Sequence, residues 1–409
     1  MNGRVIMSDI KKYMKDRNNT PVEDDDADEK QLEKKLRLHK WGKYTKVFVA
    51  IALLITVLVS YYIYVKNKVY VEYEVKETVE ITDTYSCEFY PFGDYILRYS
   101  EDGIAYLNGS KTHWNQAFQM KKSLIEICKD YVAVADYKSN TIYICNTESS
   151  QGSVKTDHPI MGLDVSNNGV VAVITGDESD VSHIEVIAKD GTKIAKGQTV
   201  LSGQGCPVDL AISEDGTKLM VLYLHLSSGV IESKVVFYNY SEVGKNEVDR
   251  FVGGFDYDKS IMAKVDFLKN DVAVAFGDDK FVIYSIKQKP SVIASVNVNY
   301  KIKSIFNNSE YIGLVVENNE AENPYTMLVY NLDGEKLSET KFSFMYKDIE
   351  IADESIVIYN DTSLKVYNVE GTLKYQGDMD EKIISVITKN KDYEYYVIGD
   401  TSIKDIKLK

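Results

Sequence analysis

The sequence predicts an all-β fold: an eight-bladed β-propeller behind an N-terminal transmembrane helix. Three observations lead there. Residues 47–65, VFVAIALLITVLVSYYIYV, form a single uncharged apolar run. Beyond it, short apolar segments recur at about forty-residue spacing, a period typical of propeller blades. Several of those segments run five or six apolar residues without alternation, so both faces of each strand must be covered.

The apolar run comes first. At about 1.5 Å rise per residue, its length matches the roughly 30 Å hydrocarbon core of a bilayer. Lys30, Lys34, Lys35, Arg37, Lys40, Lys43 and Lys46 precede it. The far side mixes Lys66, Lys68 and Lys76 with Glu72, Glu74, Glu77 and Glu80. Basic excess stays cytoplasmic. The expectation is a single-pass protein of the cell membrane, with residues 1–46 a cytoplasmic tail, 47–65 the span and 66–409 an extracellular propeller. Trp41, Tyr44, Tyr61, Tyr62 and Tyr64 suit the two interfacial belts. A cleaved signal peptide does not fit, because no A-x-A site follows the span and the leader before it is too long.

The tail divides in two. Residues 18–29, NNTPVEDDDADE, hold only Val22 and Ala27 as apolar residues and are expected to be disordered. Residues 30–46 set Leu32, Leu36 and Leu38 among lysines, which reads as a basic helix on the inner leaflet or as topology-setting charge.

The stretch before residue 66 carries 12 basic and 9 acidic residues, leaving 36 basic and 53 acidic beyond it, a net charge of −17. Such a surface repels nucleic acid, and five Arg against 43 Lys leave few forked donors for phosphate. Nucleic acid is therefore not an expected partner. Cys87, Cys128, Cys145 and Cys206 show no CxxC spacing and are expected to be buried free thiols.

The repeat begins with DYILRYS near 97, DYVAVAD near 133, GVVAVIT near 172 and KLMVLYL near 221. It continues with DVAVAFG near 274, YIGLVVE near 314, SIVIYND near 357 and YYVIGD near 397. Second strands end alike in TIYICN, KVVFYN, KFVIYS, TMLVYN and SLKVYN. Turns such as AKDG (188–191), NLDG (331–334) and NVEG (368–371) follow. Radially stacked four-stranded sheets bury both faces of such strands, whereas a sandwich would show alternation. Eight units fit between about residue 82 and the C-terminus. Seven is the alternative count, because the first unit is weak.

Closure follows from the ends. The last unit has three evident strands, 383–388, 393–398 and 402–408. Residues 69–75, VYVEYEV, alternate like a half-exposed outer strand, so residues 70–80 are expected to supply the missing fourth strand and close the ring. Naming the strands of a blade a to d from the axis outward, this entry point puts the a–b/c–d end towards the membrane and the b–c/d–a end outward. Protease cleavage of b–c loops in intact cells is the expected outcome, and their protection there would contradict the orientation.

The longest insertions fall on the outward end: the b–c segments TGDESDVSH (175–183), HLSSGVIES (225–233) and ENNEAENPY (317–325), and the d–a segment FDYDKS (255–260). Loops on a rigid scaffold are common places for binding. The candidate ligand contacts are Asp177, Glu178, Asp180, His183, His225, Tyr257, Glu320 and Tyr325. Five histidines are scattered, and no HExxH or GxSxG occurs. Asp177, Glu178 and Asp180 lack the spacing of a calcium loop. No catalytic residue, metal site or cofactor is expected.

The stretches AISEDGTKLMVLY (211–223) and DVSNNGVVAVIT (164–175) resemble the S-x-D-G turn and following strand of WD-repeat, TolB-like and quinoprotein-like propellers. The resemblance implies fold and says little of function. No WD dipeptide ends a unit, and the units contain only Trp114, so a quinone cofactor is not implied. The whole layout also resembles a family of membrane-anchored propellers from Firmicutes, which implies a cell-surface location and no established activity.

The reading that results is a non-catalytic binding or scaffolding module for an envelope protein or cell-wall polymer. One alternative is a hydrolase or lyase acting on envelope carbohydrate or peptide, with Asp177, Asp256 and Glu320 converging near the central channel. Another is a transmembrane sensor, although the span has no GxxxG and the tail is short for an output domain.

Overall fold

Strands that are apolar on both faces need a neighbour on each side, and eight small sheets standing around an axis supply it. The computed structural model describes residues 26–409 apart from 110, 177–179, 228, 390 and 392. Among the described residues, eight four-stranded antiparallel sheets form. Blades 1 to 7 span residues 88–117, 123–155, 160–200, 206–257, 262–297, 301–342 and 348–378. Inner strands of blades 2 to 5, of blades 6 and 7, and of blades 8 and 1 meet near the axis. The count is eight, as the period predicts.

Blade 8 is assembled from both ends of its domain. Strands Ile383–Thr388, Glu394–Gly399 and Ser402–Leu408 are joined by β1, Tyr73–Glu80, as the outermost strand. The register runs from Tyr73 opposite Leu408 to Glu80 opposite Ser402, with a bulge between Val75 and Glu77. The bulge switches the inward side of the strand. Before it, Tyr73 packs towards blade 7; after it, Val79 packs towards blade 1. The expected regular alternation over residues 69–75 is therefore corrected: Val69, Val71 and Val75 are exposed, while Tyr70 and Tyr73 pack inward.

One apolar cluster fills each interface between blades. In strand Tyr131–Asp136, Val132 and Val134 face blade 1, whereas Ala133 and Ala135 face blade 3. The cluster between blades 8 and 1 contains Val79, Phe89, Ile96, Ile398 and Ile403. Each interface removes aliphatic and aromatic side chains from water, at about 1.5–3 kcal/mol for each one fully buried.

The opposite ends differ in chemistry. On the a–b side, turns of neighbouring blades are hydrogen-bonded to one another. Asp130 N–H donates to Asn167 Oδ1 (3.1 Å), Asn168 Nδ2 to the Asp215 carbonyl (2.9 Å), and Asn270 Nδ2 to Asp215 Oδ2 (2.7 Å). Burial alone would raise Asp215, but the Thr217 and Ser213 hydroxyls and the Asn270 amide hold it down at about 2. The S-x-D-G turn is thus a tie between blades. On the b–c side, blade 4 carries two ten-residue strands, Lys218–Ser227 and Val230–Asn239. HLSSGVIES, read as a loop, is mostly an extension of this hairpin, whose tip exposes Leu226, Val230 and Ile231.

The N-terminal unit is a separate body containing helix α1, Asp26–Asn67. It starts inside the acidic stretch expected to be disordered: Asp26–Glu29 is helical, and residues 18–25 lie outside the described residues. Helix propagation from the following segment accounts for the extra turn. From Val47 to Tyr64 every described large apolar side chain is exposed. Among the described residues no helix is long and apolar enough to cross a membrane. The uncharged run 47–65 includes Tyr62 and Val65, whose side chains lie outside the described ones.

The cysteines are free. Cys145 is buried and Cys87 and Cys128 half-buried, but Cys206 is exposed, because it starts the inner strand of blade 4 at the open b–c end.

Glu394, buried in blade 8, ties β1 to its neighbours through Lys76 (2.6 Å) and Lys407 (3.2 Å). Burial would raise its pKa, yet these two ammonium groups outweigh it and hold the carboxyl below the usual range. A depressed pKa stabilises the fold above the unfolded value and loses that contribution as pH falls through the folded one. Lys76→Met is expected to destabilise the chain by about 2 kcal/mol at pH 7. Thermal unfolding checks this, and the difference should shrink below the ordinary glutamate pKa of 4.5.

Candidate functional site

Among the described residues, the concave places that gather polar groups include the axial channel and a cleft between blades 3 and 4. The channel collects carboxylates from inner strands. Asp164 Oδ2 accepts from Ile212 N–H of the next blade at 2.7 Å. Asp209 Oδ2 accepts from Val265 N–H at 2.8 Å, and Asp266 Oδ2 from Asn307 Nδ2 at 2.8 Å. These are inter-blade ties across three successive interfaces. Glu126 of blade 2 feels Lys264, Asp209 and Asp266 of blades 4 and 5, an encounter that the ring allows only across the axis.

The enclosure shifts their chemistry. Glu126 is exposed, yet the inner strands of blades 2, 4 and 5 that face one another there take part of its hydration away. That desolvation, opposed by Lys264 and reinforced by Asp209 and Asp266, pushes it up to about 7. Burial likewise lifts Asp209 to about 6 against the pull of the Val265 and Leu210 N–H groups. Asp164 and Asp266 are raised too, each mainly by burial. Sequence reasoning passed over this set. The signal was there as a repeated apolar–acid–apolar triplet on inner strands: IEI (125–127), LDV (163–165), VDL (208–210), VDF (265–267) and IEI (349–351). Among the described residues, no group of three or more His, Cys, Asp or Glu is placed to hold a metal ion.

The cleft has a volume of about 890 Å³. One wall is the outermost strand of blade 3, Lys193–Val200, which turns Ala195, Gly197 and Thr199 towards blade 4. A Cβ built on Gly197 meets nothing within 4 Å. The other wall is the blade 3 side of blade 4. There Tyr223, His225, Glu232, Lys234, Val236, Tyr238 and Phe251 lie in adjacent register. Small side chains facing a row of tyrosines leave the gap. Tyr223 is 2% exposed, and its hydroxyl sits beside Tyr238 without a well-formed hydrogen bond. Burial raises the pKa values of Tyr223, Tyr238 and Tyr240, so all three remain neutral phenols.

The charges of the lining are balanced: Lys196, Lys234 and Arg250 against Glu232, Asp249 and Asp256. Lys234 pairs with Asp256 at 3.2 Å, and Lys196 with Asp157 at 2.6 Å. Asp249 and Arg250 both hold left-handed backbone, φ 54° and 62°, a strained pair at the mouth.

The sequence-predicted contacts are dispersed. His225 lines the cleft, as does Asp256. His183 stacks on His158 in the d–a connection before blade 3, with centroids 4.2 Å apart and planes 5° from parallel. Asp180 is exposed, and its carbonyl accepts from Leu201 N–H (2.9 Å). Asp177 and Glu178 lie outside the described residues. Tyr257 bonds to Tyr284 within the packing of blades 4 and 5. Glu320 pairs with Lys341. Tyr325 is buried, with Lys303 Nζ donating to its hydroxyl at 2.8 Å. The expected convergence of Asp256 and Glu320 on the channel is corrected: Asp256 stands on the outermost strand of blade 4 and Glu320 in a b–c loop of blade 6.

Eight four-stranded blades around a lined channel define a β-propeller. The chain belongs to the family of unknown function DUF5711, whose profile matches residues 66–408. Among solved structures it is similar to BamB from Moraxella catarrhalis, at 10% identity and a TM-score of 0.51, covering 82% of this chain and 100% of that one. Hsv2 from Kluyveromyces lactis gives 12% identity and a TM-score of 0.46, covering 74% and 98%. The Pan2 WD40 domain from Neurospora crassa gives 8% and 0.43, covering 69% and 88%. At these identities the BamB likeness shows the fold alone. No curated protein matches the chain.

The raised pKa of Glu126 sets a pH dependence. Its folded value near 7 exceeds the ordinary 4.5, so the folded state holds the proton more firmly than the unfolded one. Through this group, stability is lost as pH rises across that window. Glu126→Gln is therefore expected to raise the melting temperature at pH 8 and to leave it unchanged near pH 4. An equal or lower melting temperature at pH 8 would remove the assigned enclosure.

Proposed function

We propose that this protein is a non-catalytic binding module, anchored in the cell membrane by residues 47–65 with its propeller outside the cell. In this reading the b–c/d–a end and the adjoining cleft engage an envelope protein or cell-wall polymer. The observation that carries it is the cleft between blades 3 and 4, whose roughly 890 Å³ lies in the range of ligand sites. Two features support the choice of end. The a–b turns are occupied by bonds between blades, whereas the blade 4 hairpin extends from the other end with exposed Leu226, Val230 and Ile231. Anchoring is supported by the uncharged sequence of residues 47–65 and by the apolar side chains exposed along α1, which call for an apolar surrounding. The pairing of β1 with the last strand is read as the lock that holds the ring.

The test uses Cys206, exposed at the b–c end, while burial pushes the Cys128 and Cys145 thiols up to about 12 and 11. A membrane-impermeant maleimide should label intact cells, and Cys206→Ser should abolish most of that signal. Labelling that appears only after lysis would refute the extracellular placement. A photo-crosslinker at Glu232, on the cleft wall, should capture a discrete envelope component in intact cells. Absence of any cleft-dependent adduct would refute the binding role.

A further inference from the structure

The cleft also specifies what kind of ligand it takes. Its length follows from the strand that forms one wall. From Glu232 to Tyr238 the lining runs about 20 Å, at about 3.3 Å per residue. Spread over that length, about 890 Å³ gives a trough of about 45 Å² in section, the width of one extended chain. A compact metabolite would leave much of it empty.

Charge excludes two classes of chain. The propeller side of the sequence is strongly acidic, at −17 net. The cleft is a neutral strip on that surface, with three cations against three anions, and Lys196 and Lys234 are already paired with Asp157 and Asp256. An anionic polymer finds only Arg250 outside these ion pairs, its guanidinium directed to the Ser241 carbonyl, and the surrounding field opposes its approach. A cationic polymer finds no excess of anions within the strip.

A peptide added as a strand has one edge to pair with, the free edge of Lys193–Val200, and would leave the aromatic wall of blade 4 uncovered. That wall is a sheet face whose side chains, and not its backbone N–H and C=O groups, point into the gap. Recognition rests on phenols and a hydroxyl: Tyr223, Tyr238, Tyr240 and Thr199. Tyr238 and Phe251 present rings 6.3 Å apart at 72°, which gives apolar faces beside those polar tips. Flat apolar faces flanked by neutral donors and acceptors match a chain of pyranose rings.

We propose that the cleft between blades 3 and 4 binds a segment of an uncharged polysaccharide. This rests on the binding role assigned to the cleft above and names its ligand class.

Gly197 provides the test, since a side chain there projects into open space and its backbone is not left-handed. Chitotetraose, maltotetraose and a glycerol-phosphate oligomer are titrated into the detergent-solubilised full chain and followed by saturation-transfer NMR and calorimetry. At least one neutral tetrasaccharide should bind saturably. Gly197→Trp should weaken it more than tenfold with an unchanged melting temperature. Phe251→Ala, at a ring 44% exposed, should weaken it several-fold without unfolding the chain. No saturable binding of either neutral glycan would overturn the proposal, as would binding indifferent to Gly197→Trp. Tighter binding of the glycerol-phosphate oligomer, lost in Gly197→Trp, would overturn the neutral ligand class. If glycans fail yet Gly197→Trp removes the adduct formed from Glu232 in cells, the polysaccharide falls and the binding role stands.

Discussion

Every blade depends on one constraint: its middle strands have no face that can be given to water. In blade 2 the alternation of Val132 and Val134 with Ala133 and Ala135 commits one set to each neighbour. A sheet of this kind has no stable surface of its own, so the interfaces come as a set. Polar groups are consequently driven to the rims. At the a–b rim they become ties, such as Asn270 to Asp215. Along the axis, the carboxylates of Asp164 and Asp209 reach the backbone of the next blade. The polarity of Asp164 and Asp209 near the axis therefore serves geometry.

Where the packing rule is relaxed, a site opens. Strand Lys193–Val200 offers Ala195, Gly197 and Thr199 to blade 4, and at Gly197 nothing fills the space. Tyr223 still packs in the aliphatic cluster between the blades, while Tyr238 and Tyr240 at its edge border the gap. The same absence of bulk gives the trough its length and its neutrality, because the paired charges at its edge stabilise one another.

The architecture was legible because burial on two faces leaves a plain mark: unalternating runs such as VAVAD and MVLYL, spaced evenly. The blade count followed from that mark alone. The bulge at Lys76 did not, since nothing in VYVEYEV announces a switch of inward face. The cleft was less legible still. His225 and Asp256 were found through loops and charge, but the residues that create the space are small and carry no chemistry of their own. HLSSGVIES misled because Ser and Gly suggest a loop, although cross-strand pairs such as Leu226 with Ile231 continue the ladder. The inner-strand acids were visible as triplets, yet a single acid between two apolar residues is ordinary until its repetition is aligned.

The register of Tyr73 with Leu408 also orders events in time. About 330 residues separate these partners, so at roughly 5–20 residues per second the first strand waits some 20–70 s for its mate to be made. Throughout that interval the nascent wheel has an unguarded rim at each end. Contacts so distant along the chain form late and slowly. A chain that stops before Ser402 lacks the partner of β1 and leaves that strand, and the one beside the gap, open to pairing with strangers.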